Sequence, residues 1–321
     1  MFSRRLFLQG LGAAALGSLS TAAYAVGIEP FRLRIQPHHL TPPRWPRDLK
    51  LTAALIADPH ICDPWMGLER VKYIVDRTNA LKPDIILMLG DYVADHRMQY
   101  DPIPPQAWAD CFAKFSAPLG THAILGNHDW WDDEEAQQSG SGPTKYGQAL
   151  LNAGIPLYQN RAVRLEKDGK GFWLAGLDDQ IALVPNWKLK RGNWLGVDDL
   201  SSTLAQVTDD APILLMAHEP DIFDEVPERV SLTVSGHTHG GQINFFGYRP
   251  GYPAKHGNKY AYGHFVGTQG TSIGKHLGLT AEPRHLVVSG GLGCSLLPIR
   301  FGVPPEITLV HLGSEKSGGT V

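Results

Sequence analysis

Little in this chain allows covalent cross-linking. Its three cysteines, Cys62, Cys111 and Cys294, are too few and too widely spaced for a disulfide framework, and none sits in a C-x-x-C pair. At most one bridge can form. Basic charge is not in excess either. A formal net charge of −3 lacks the positive field with which a general nucleic-acid surface neutralises phosphates, so no stable nucleic-acid binding is expected and only a local basic cleft stays open. Beyond the N-terminal segment no apolar run is long enough to cross a bilayer, and no internal repeat is visible.

What the chain does have is bulk and histidine. Its 321 residues, 43% hydrophobic and 19% charged, suffice for one large globular domain or two small ones with a sizeable core. Of its 14 histidines, His60, His128, His218, His237 and His239 fall inside compact motifs, whereas the scattered remainder read as surface or packing residues.

Residues 1–25 stand apart from the fold. Arg4-Arg5 followed by Leu6-Phe7-Leu8, a mild apolar run to Leu19, and Ala23-Tyr24-Ala25 give the charged head, apolar middle and small-residue cleavage site of an export signal. The paired arginines make it the twin-arginine version. The competing reading is a retained anchor, against which the run to Leu19 falls short of the roughly 20 apolar residues of a span. The expectation is export through the twin-arginine machinery to the periplasm or the outer face of the cytoplasmic membrane, with association at the membrane surface left open. Residues 26–49, with Pro30, Pro37, Pro42, Pro43 and Pro46, read as an extended linker or edge-hugging arm, and the ordered domain is expected from about Lys50 to Leu312, followed by a flexible tail over 313–321.

From Lys50 onward short apolar runs alternate with amphipathic stretches. Leu51 to Ala57, Ile85 to Leu89, His122 to Leu125, Phe172 to Ala175, Ile213 to Ala217, Leu232 to Val234, Leu286 to Ser289 and Ile307 to Leu312 are strand-like, while Met66 to Leu81 and Gln106 to Phe115 carry helical patterns. This alternation predicts a layered α/β domain. Asp132 to Pro143 and Phe246 to Leu279 read as surface loops or lids; the second is too long for an idle connection.

Polar clusters follow the strands. Asp58-Pro59-His60 comes after the first run, Gly90-Asp91 after the second, Gly126-Asn127-His128-Asp129 after the third, His218 after Ile213 to Ala217, and Gly236-His237-Thr238-His239 after Leu232 to Val234. Sites of open α/β sheets lie at the carboxyl ends of strands, so the five clusters can converge. Each alone is a weak signal, a turn or a cap as readily as a site. Together they supply imidazole nitrogens, carboxylate oxygens and one amide oxygen without a thiolate, a donor set for Zn, Mn or Fe rather than for a Cys-ligated structural zinc. A carboxylate can bridge two cations, and Asp91, at the middle of the sheet, is the natural bridge.

These blocks resemble the calcineurin-like metallophosphoesterase superfamily, whose motifs run D-x-H, G-D, G-N-H-D/E, an isolated H and G-H-x-H; the resemblance extends over about Lys50 to Leu312. The Gly-His-Thr-His-Gly-Gly-Gln ending and the twin-arginine head are similar to exported bacterial phosphodiesterases of the YkuE and YaeI type. The resemblance implies a single-domain four-layer α/β/β/α sandwich, a choice that alternation alone does not make. It implies that Asp58, His60 and His239 hold one divalent transition metal ion, that Asn127, His218 and His237 hold a second, and that Asp91 bridges them. Two cations sharing one water lower its pKa towards neutrality, so hydroxide attacks phosphorus without a protein nucleophile. His128 is left to serve as general acid towards the leaving group, with Asp129 orienting its imidazole.

The function expected is hydrolysis of phosphodiester or pyrophosphate bonds, of a cell-envelope lipid or a nucleotide. The alternatives are an exported phosphomonoesterase and a metal-binding scaffold without catalysis. Asp178 and Asp179 are weaker candidates to reach the site, against a turn or cap role. Arg300 can pair with a substrate phosphate or make a structural salt bridge; Cys62 reads as buried packing; Trp130 and Trp131 read as mouth or core residues.

Overall fold

Eight strand-like runs set the framework, and their residues explain why two sheets form. In β2 (Leu51–Ile56) Leu51, Ala53 and Leu55 enter one core cluster while Ala54 and Ile56 enter another. In β3 (Ile85–Met88) Ile85 and Leu87 join the first and Ile86 and Met88 the second. Side chains alternate across a strand, so a strand apolar at every position must be covered on both faces.

The computed structural model describes residues 4–94, 98–100, 102–185, 194–250, 257–267 and 282–313. With β1 (Arg34–Leu40), β4 (Thr121–Ala123) and β11 (Glu306–Leu312), the first sheet has the order β1-β11-β2-β3-β4. The second, built from β5 (Arg161–Lys167), β6 (Lys170–Gly176), β7 (Ile213–Met216), β8 (Leu232–Ser235), β9 (Gly263–Gly267) and β10 (Arg284–Val288), has the order β5-β6-β7-β8-β10-β9. β2, β3 and β4 run parallel, as do β6, β7, β8 and β10.

The sheets pack face to face through Leu55, Leu87, Leu174, Leu214, Leu232 and Val310. Helices α2 (Leu68–Ala80), α3 (Pro105–Phe112) and α6 (Lys145–Asn152) cover the outer face of the first. α2 buries Val71, Ile74, Val75 and Thr78, the stripe of an amphipathic helix. The outer face of the second carries a thinner layer, α7 (Leu200–Ala205) and the 3-10 turn Pro220–Asp224, over Trp173, Ile213 and Leu215. The layered α/β sandwich is thus present as a single domain.

Several local expectations change. The sheet begins before Lys50: residues 34–40 pair in parallel with β11, Arg34 opposite Glu306 through Leu40 opposite Leu312. Pro37 fits there because an edge strand has one unused hydrogen-bonding side. The stretch Asp132 to Pro143 contains helix α5 (Glu134–Ser139), capped by the Asp133 carboxylate accepting from the amides of Glu135 and Ala136. The Phe246 to Leu279 stretch includes β9; its residues 251–256 and 268–279 lie outside the described residues, as does 314–321 of the expected tail. Helix α1 (Arg4–Gly27) runs well past Leu19, and the 24 residues Leu8–Phe31 are long and apolar enough for a bilayer span, a test that signal sequences also pass.

Buried Glu306 ties the closing strand to its neighbours. Its carboxylate accepts from Arg34 Nη2 at 2.8 Å, Tyr262 OH at 2.7 Å, the Gly290 amide at 3.0 Å and Thr308 Oγ1 at 2.8 Å. Glu306→Ala should lower unfolding stability by roughly 3 kcal/mol, because the remaining partners lose a buried charge, read as a lower urea midpoint at unchanged slope. An unchanged midpoint would show that solvent replaces the carboxylate.

Candidate metal centre

Each of the five clusters sits where a parallel strand ends. Asp58 and His60 follow β2, Asp91 follows β3, and Asn127 opens the short helix α4 (Asn127–Trp131) after β4. His218 follows β7, and His237 and His239 follow β8. Both sheets therefore present their carboxyl ends to one edge of the sandwich.

The turns are tight and interlocked. Asp58, His60, Asp91, His237 and His239 have left-handed backbone, with φ of 49, 44, 57, 69 and 51°. Such residues cost about 1 kcal/mol or more each and persist where the surroundings impose them. The imposition is visible: the Asp58 amide donates to Gly90 O at 3.1 Å, His60 N to Asp91 O at 3.0 Å, and Gly293 N to Asp58 O at 2.8 Å. Gly90, at φ 92°, and Gly126 lie against one another so closely that a Cβ on Gly126 would press into the Asp91 carboxylate and the His218 ring.

Asp129 supplies the strongest tie. Its Oδ2 accepts from the amides of Asp91 (2.8 Å) and Gly126 (2.9 Å), and Oδ1 from those of Tyr92 (2.8 Å) and Val93 (3.3 Å). The expected orientation of the His128 imidazole by this carboxylate is thereby corrected: its oxygens bind main chain, and it positions the two turns that carry Asp91 and Asn127. Burial, then the Asp91 charge, pushes its carboxyl up to about 7.

Two groups of donors meet at Asp91. Asp58, His60, Asp91 and His239 form one and Asp91, His218 and His237 the other, all buried and each with its ligand atoms within 4.8 Å of one another. Asn127 Oδ1 lies 2.9 Å from His237 Nδ1, adding the amide oxygen to the second group. His60 Nδ1 faces Val93 O at 2.9 Å and His218 Nδ1 faces Leu89 O at 2.6 Å. A carbonyl only accepts, so both rings carry hydrogen on Nδ1 and turn Nε2 inward. These inward atoms stand 3.6 and 3.2 Å from Asp91 Oδ2. Such buried pairs need either a shared proton or a cation between them.

The separations suit a cation. Bonds of about 2.1 Å put neighbouring ligands of an ion roughly 3 to 3.5 Å apart; His60 Nε2 and His239 Nε2 are 3.0 Å apart. Asp58 Oδ2 and His218 Nε2 are buried without a hydrogen-bond partner. Charge is correspondingly unsettled. Burial pushes the Asp58 carboxyl up to about 7 and the His60 imidazole down to about 3. Against burial, the Asp91 carboxylate holds His218 well above its usual range, while the same imidazole holds Asp91 well below.

His128 presents its ring to a cavity of about 300 Å³ lined also by Asp91, Asn127, Trp131, Trp194 and Leu296. Its amide donates to Asp91 Oδ1 at 2.9 Å, and its ring stands edge-on to His60 with centroids 4.9 Å apart. Trp131 lines the cavity with its Nε1 donating to Ile181 O; Trp130 is a core residue whose indole donates to Asp178.

The weaker candidates separate cleanly. Arg300 is corrected: fully buried, it forms no salt bridge among the described residues but donates to the carbonyls of Gly290, Gly293 and Val303, with Nη2 at 3.3 Å from His239 Nδ1. It fixes the turn and ring behind the centre. Asp178 supports Trp130 and Gln159 from outside the cavity. Asp179 does approach the site, grouped with His218 and the buried Glu219. Burial, then the Glu219 charge, pushes Asp179 well up. Glu219 went unnoticed in the sequence, though it directly follows His218 and its two neighbours are Pro220 and a ligand. Cys62 is buried, its thiol pushed by burial up to about 11.

If Asp91 joins the two groups, Asp91→Asn should reduce the bound metal from close to two ions per chain to one or none, measured by elemental analysis of purified protein. Unchanged content would remove Asp91 as the bridge. Gly126→Ala should give the same loss and also lower the urea midpoint, since its Cβ would press on the Asp91 carboxylate, the His218 ring and the Asp91 amide nitrogen.

Residues 51–241 match the family model of the calcineurin-like phosphoesterases. The chain is 31% identical to the uncharacterized metallophosphoesterase YkuE of Bacillus subtilis (strain 168) over 97% of its own length and 98% of that protein. It is 27% identical to the phosphodiesterase YaeI of Escherichia coli (strain K12) over 97% of its length and 100% of that protein. Among solved structures, the NAD nucleotidase NadN of Haemophilus influenzae aligns with a TM-score of 0.45 at 15% identity, over 76% of this chain and 46% of that one. With a family model matched over more than half of its length and a relative similar from end to end, the chain belongs to the calcineurin-like phosphoesterase family of metal-dependent phosphoester hydrolases.

Proposed function

We propose that this protein is an exported phosphodiesterase that cleaves phosphodiester or pyrophosphate bonds, of a cell-envelope lipid or a nucleotide, with His128 as general acid. The observation that carries this reading is the make-up of the cavity beside the two ligand groups. Beside a polar floor of Asp91, Asn127, His128, His237 and His239 it has an apolar wall of Trp131, Trp194, Ile181 and Leu296. A diester brings one charge and a second substituent, which an apolar wall can accept. One relative bears the name phosphodiesterase.

Zn, Mn or Fe is the proposed metal, from the nitrogen and oxygen donors and the absence of thiolate. Bound as a pair, such ions supply hydroxide at neutral pH and neutralise phosphoryl oxygens. The residues of the chain then do the rest. Asp91, through the His128 amide, and Asp129, through the Gly126 amide, hold the start of α4. The His128 ring is held between His60 and Trp131, whose centroid lies 5.3 Å away. From there its proton goes to the departing oxygen. Trp131 and Trp194, with centroids 5.2 Å apart, would seat the leaving group.

His128→Ala should keep its metal and lose about 10²- to 10⁴-fold in turnover of an alkyl diester, with a far smaller loss on a bis-aryl phosphodiester whose leaving group needs no proton. Equal losses on both would sink the general-acid role. For export, replacing Arg4 and Arg5 by lysine should hold the precursor in the cytoplasm, tracked by fractionation. Undiminished export would mean that the head is not read by the twin-arginine machinery.

A further inference from the structure

The helix α1 and the loops it touches form one apolar surface that ends at the catalytic cavity. Ala25 is only 6% exposed; its carbonyl accepts the Arg300 amide at 2.9 Å. Tyr24 stands edge-on to Phe301 at 6.3 Å, and Phe301 stacks on Phe245 at 4.6 Å. The last turn of α1 is thus built into the folded body, against Phe301.

From Phe301 the surface runs on. Phe245 and Tyr248 exchange backbone hydrogen bonds across a tight turn that carries Phe246. Gln242 Nε2 donates to Ser295 O at 3.0 Å, joining this turn to the loop with Leu296 and Leu297. Phe245, Phe246, Tyr248, Leu296 and Leu297 are 45, 109, 70, 67 and 51% exposed. Leu296 and Gln242 also line the cavity that holds His128. Exposed apolar side chains gathered on joined loops beside a cavity mark a contact surface.

Its occupant is indicated by α1. The helix is predominantly apolar, with only the small polar side chains of Ser18, Ser20 and Thr21 in its second half, and its residues from Leu8 to Ala23 are exposed, so protein packing does not cover it. At about 1.5 Å per residue, the roughly 17 residues from Leu8 to Tyr24, ahead of the buried Ala25, reach some 25 Å, at the short end of what a hydrocarbon core of roughly 30 Å accepts. An exposed helix of this apolar make-up is one that lipid can cover.

We infer that α1 is retained as a membrane anchor and that the Phe245–Tyr248 turn and the Leu296–Leu297 loop seat the mouth of the cavity on the bilayer, so that the substrate is a phosphodiester resident in the membrane. This rests on the phosphodiesterase reading for its substrate and on packing alone for its anchor. Phe246 and Tyr248 provide aromatic side chains of the kind that settle at headgroup depth.

The test uses the full chain reconstituted in vesicles of phosphatidylcholine and phosphatidylglycerol with brominated acyl chains. A thiol-linked fluorophore on Phe246→Cys should be quenched, and one on Asp168→Cys, in the β5–β6 turn at the far end of the sheets, should not; the three native thiols are buried. A label at 246 that brominated lipid leaves bright overturns the inference, including the case where a second copy shields it from aqueous iodide. In the second arm Phe246→Asp with Tyr248→Asp should leave soluble bis-aryl phosphodiester turnover unchanged and cut cleavage of vesicle-borne phospholipid diester by about tenfold or more, from two lost aromatic anchors. Parallel rates on both substrates overturn the membrane-resident substrate. Failure of the parent to cleave either diester counts against the phosphodiesterase reading instead, while the quenching result still decides the seat on the bilayer.

Discussion

A buried carboxylate with acceptors crowded against it is the constraint around which this molecule is arranged. Asp91 Oδ2 faces the inward nitrogens of His60 and His218, while Oδ1 takes the His128 amide and the Asp91 amide is held by Asp129. Such an assembly is costly without positive charge. The sandwich tolerates it because the cost is confined to one edge, above two sheets that pack through apolar side chains such as Leu55, Leu87, Leu174 and Leu214. Both sheets have to deliver their turns to the same point, so the packing of one sheet on the other and the geometry of the centre are one problem.

That problem explains the glycines and the left-handed residues together. Strand ends that converge within a few ångströms leave no space for ordinary connections, and Gly90, Gly126 and Gly293 occur where backbones nearly touch. Aspartate and histidine are among the side chains that tolerate positive φ best. The residue types that would hold a metal are therefore also those that the strained turns can accept.

Much of this was legible from residue order. The runs Leu51 to Ala57, Ile85 to Leu89 and Ile213 to Ala217 have no polar face, so strands buried on both sides followed, and the clusters behind them had one place to go. Pairing two sheets face to face was not legible, because a strand covered by a helix and one covered by another sheet have the same apolar pattern; the family resemblance supplied it. The missed strands β1 and β5 are edges rich in arginine, lysine, histidine or glutamate, as solvent-facing edges tend to be, which removes the signal by which strands are found. Asp129 and Arg300 were read as partners of side chains or substrate. Both instead bind main-chain amides or carbonyls, partners that every sequence contains and none advertises. Helix α5 was hidden by its Gly and Ser flanks, although Asp133 at its start is an ordinary cap.

The place of β11 has a consequence for the history of each molecule. It lies between β1 and β2 and pairs with both, Arg34 to Leu40 on one side and Leu51 to Leu55 on the other. A growing chain cannot complete its first sheet until residue 312 has left the ribosome. Until then β2 offers an open edge of unpaired peptide groups next to apolar faces, a state prone to wrong pairing. Contacts of such sequence separation also slow folding. The early half of the chain therefore has to wait, with β2 uncovered on one side, for its last strand to arrive.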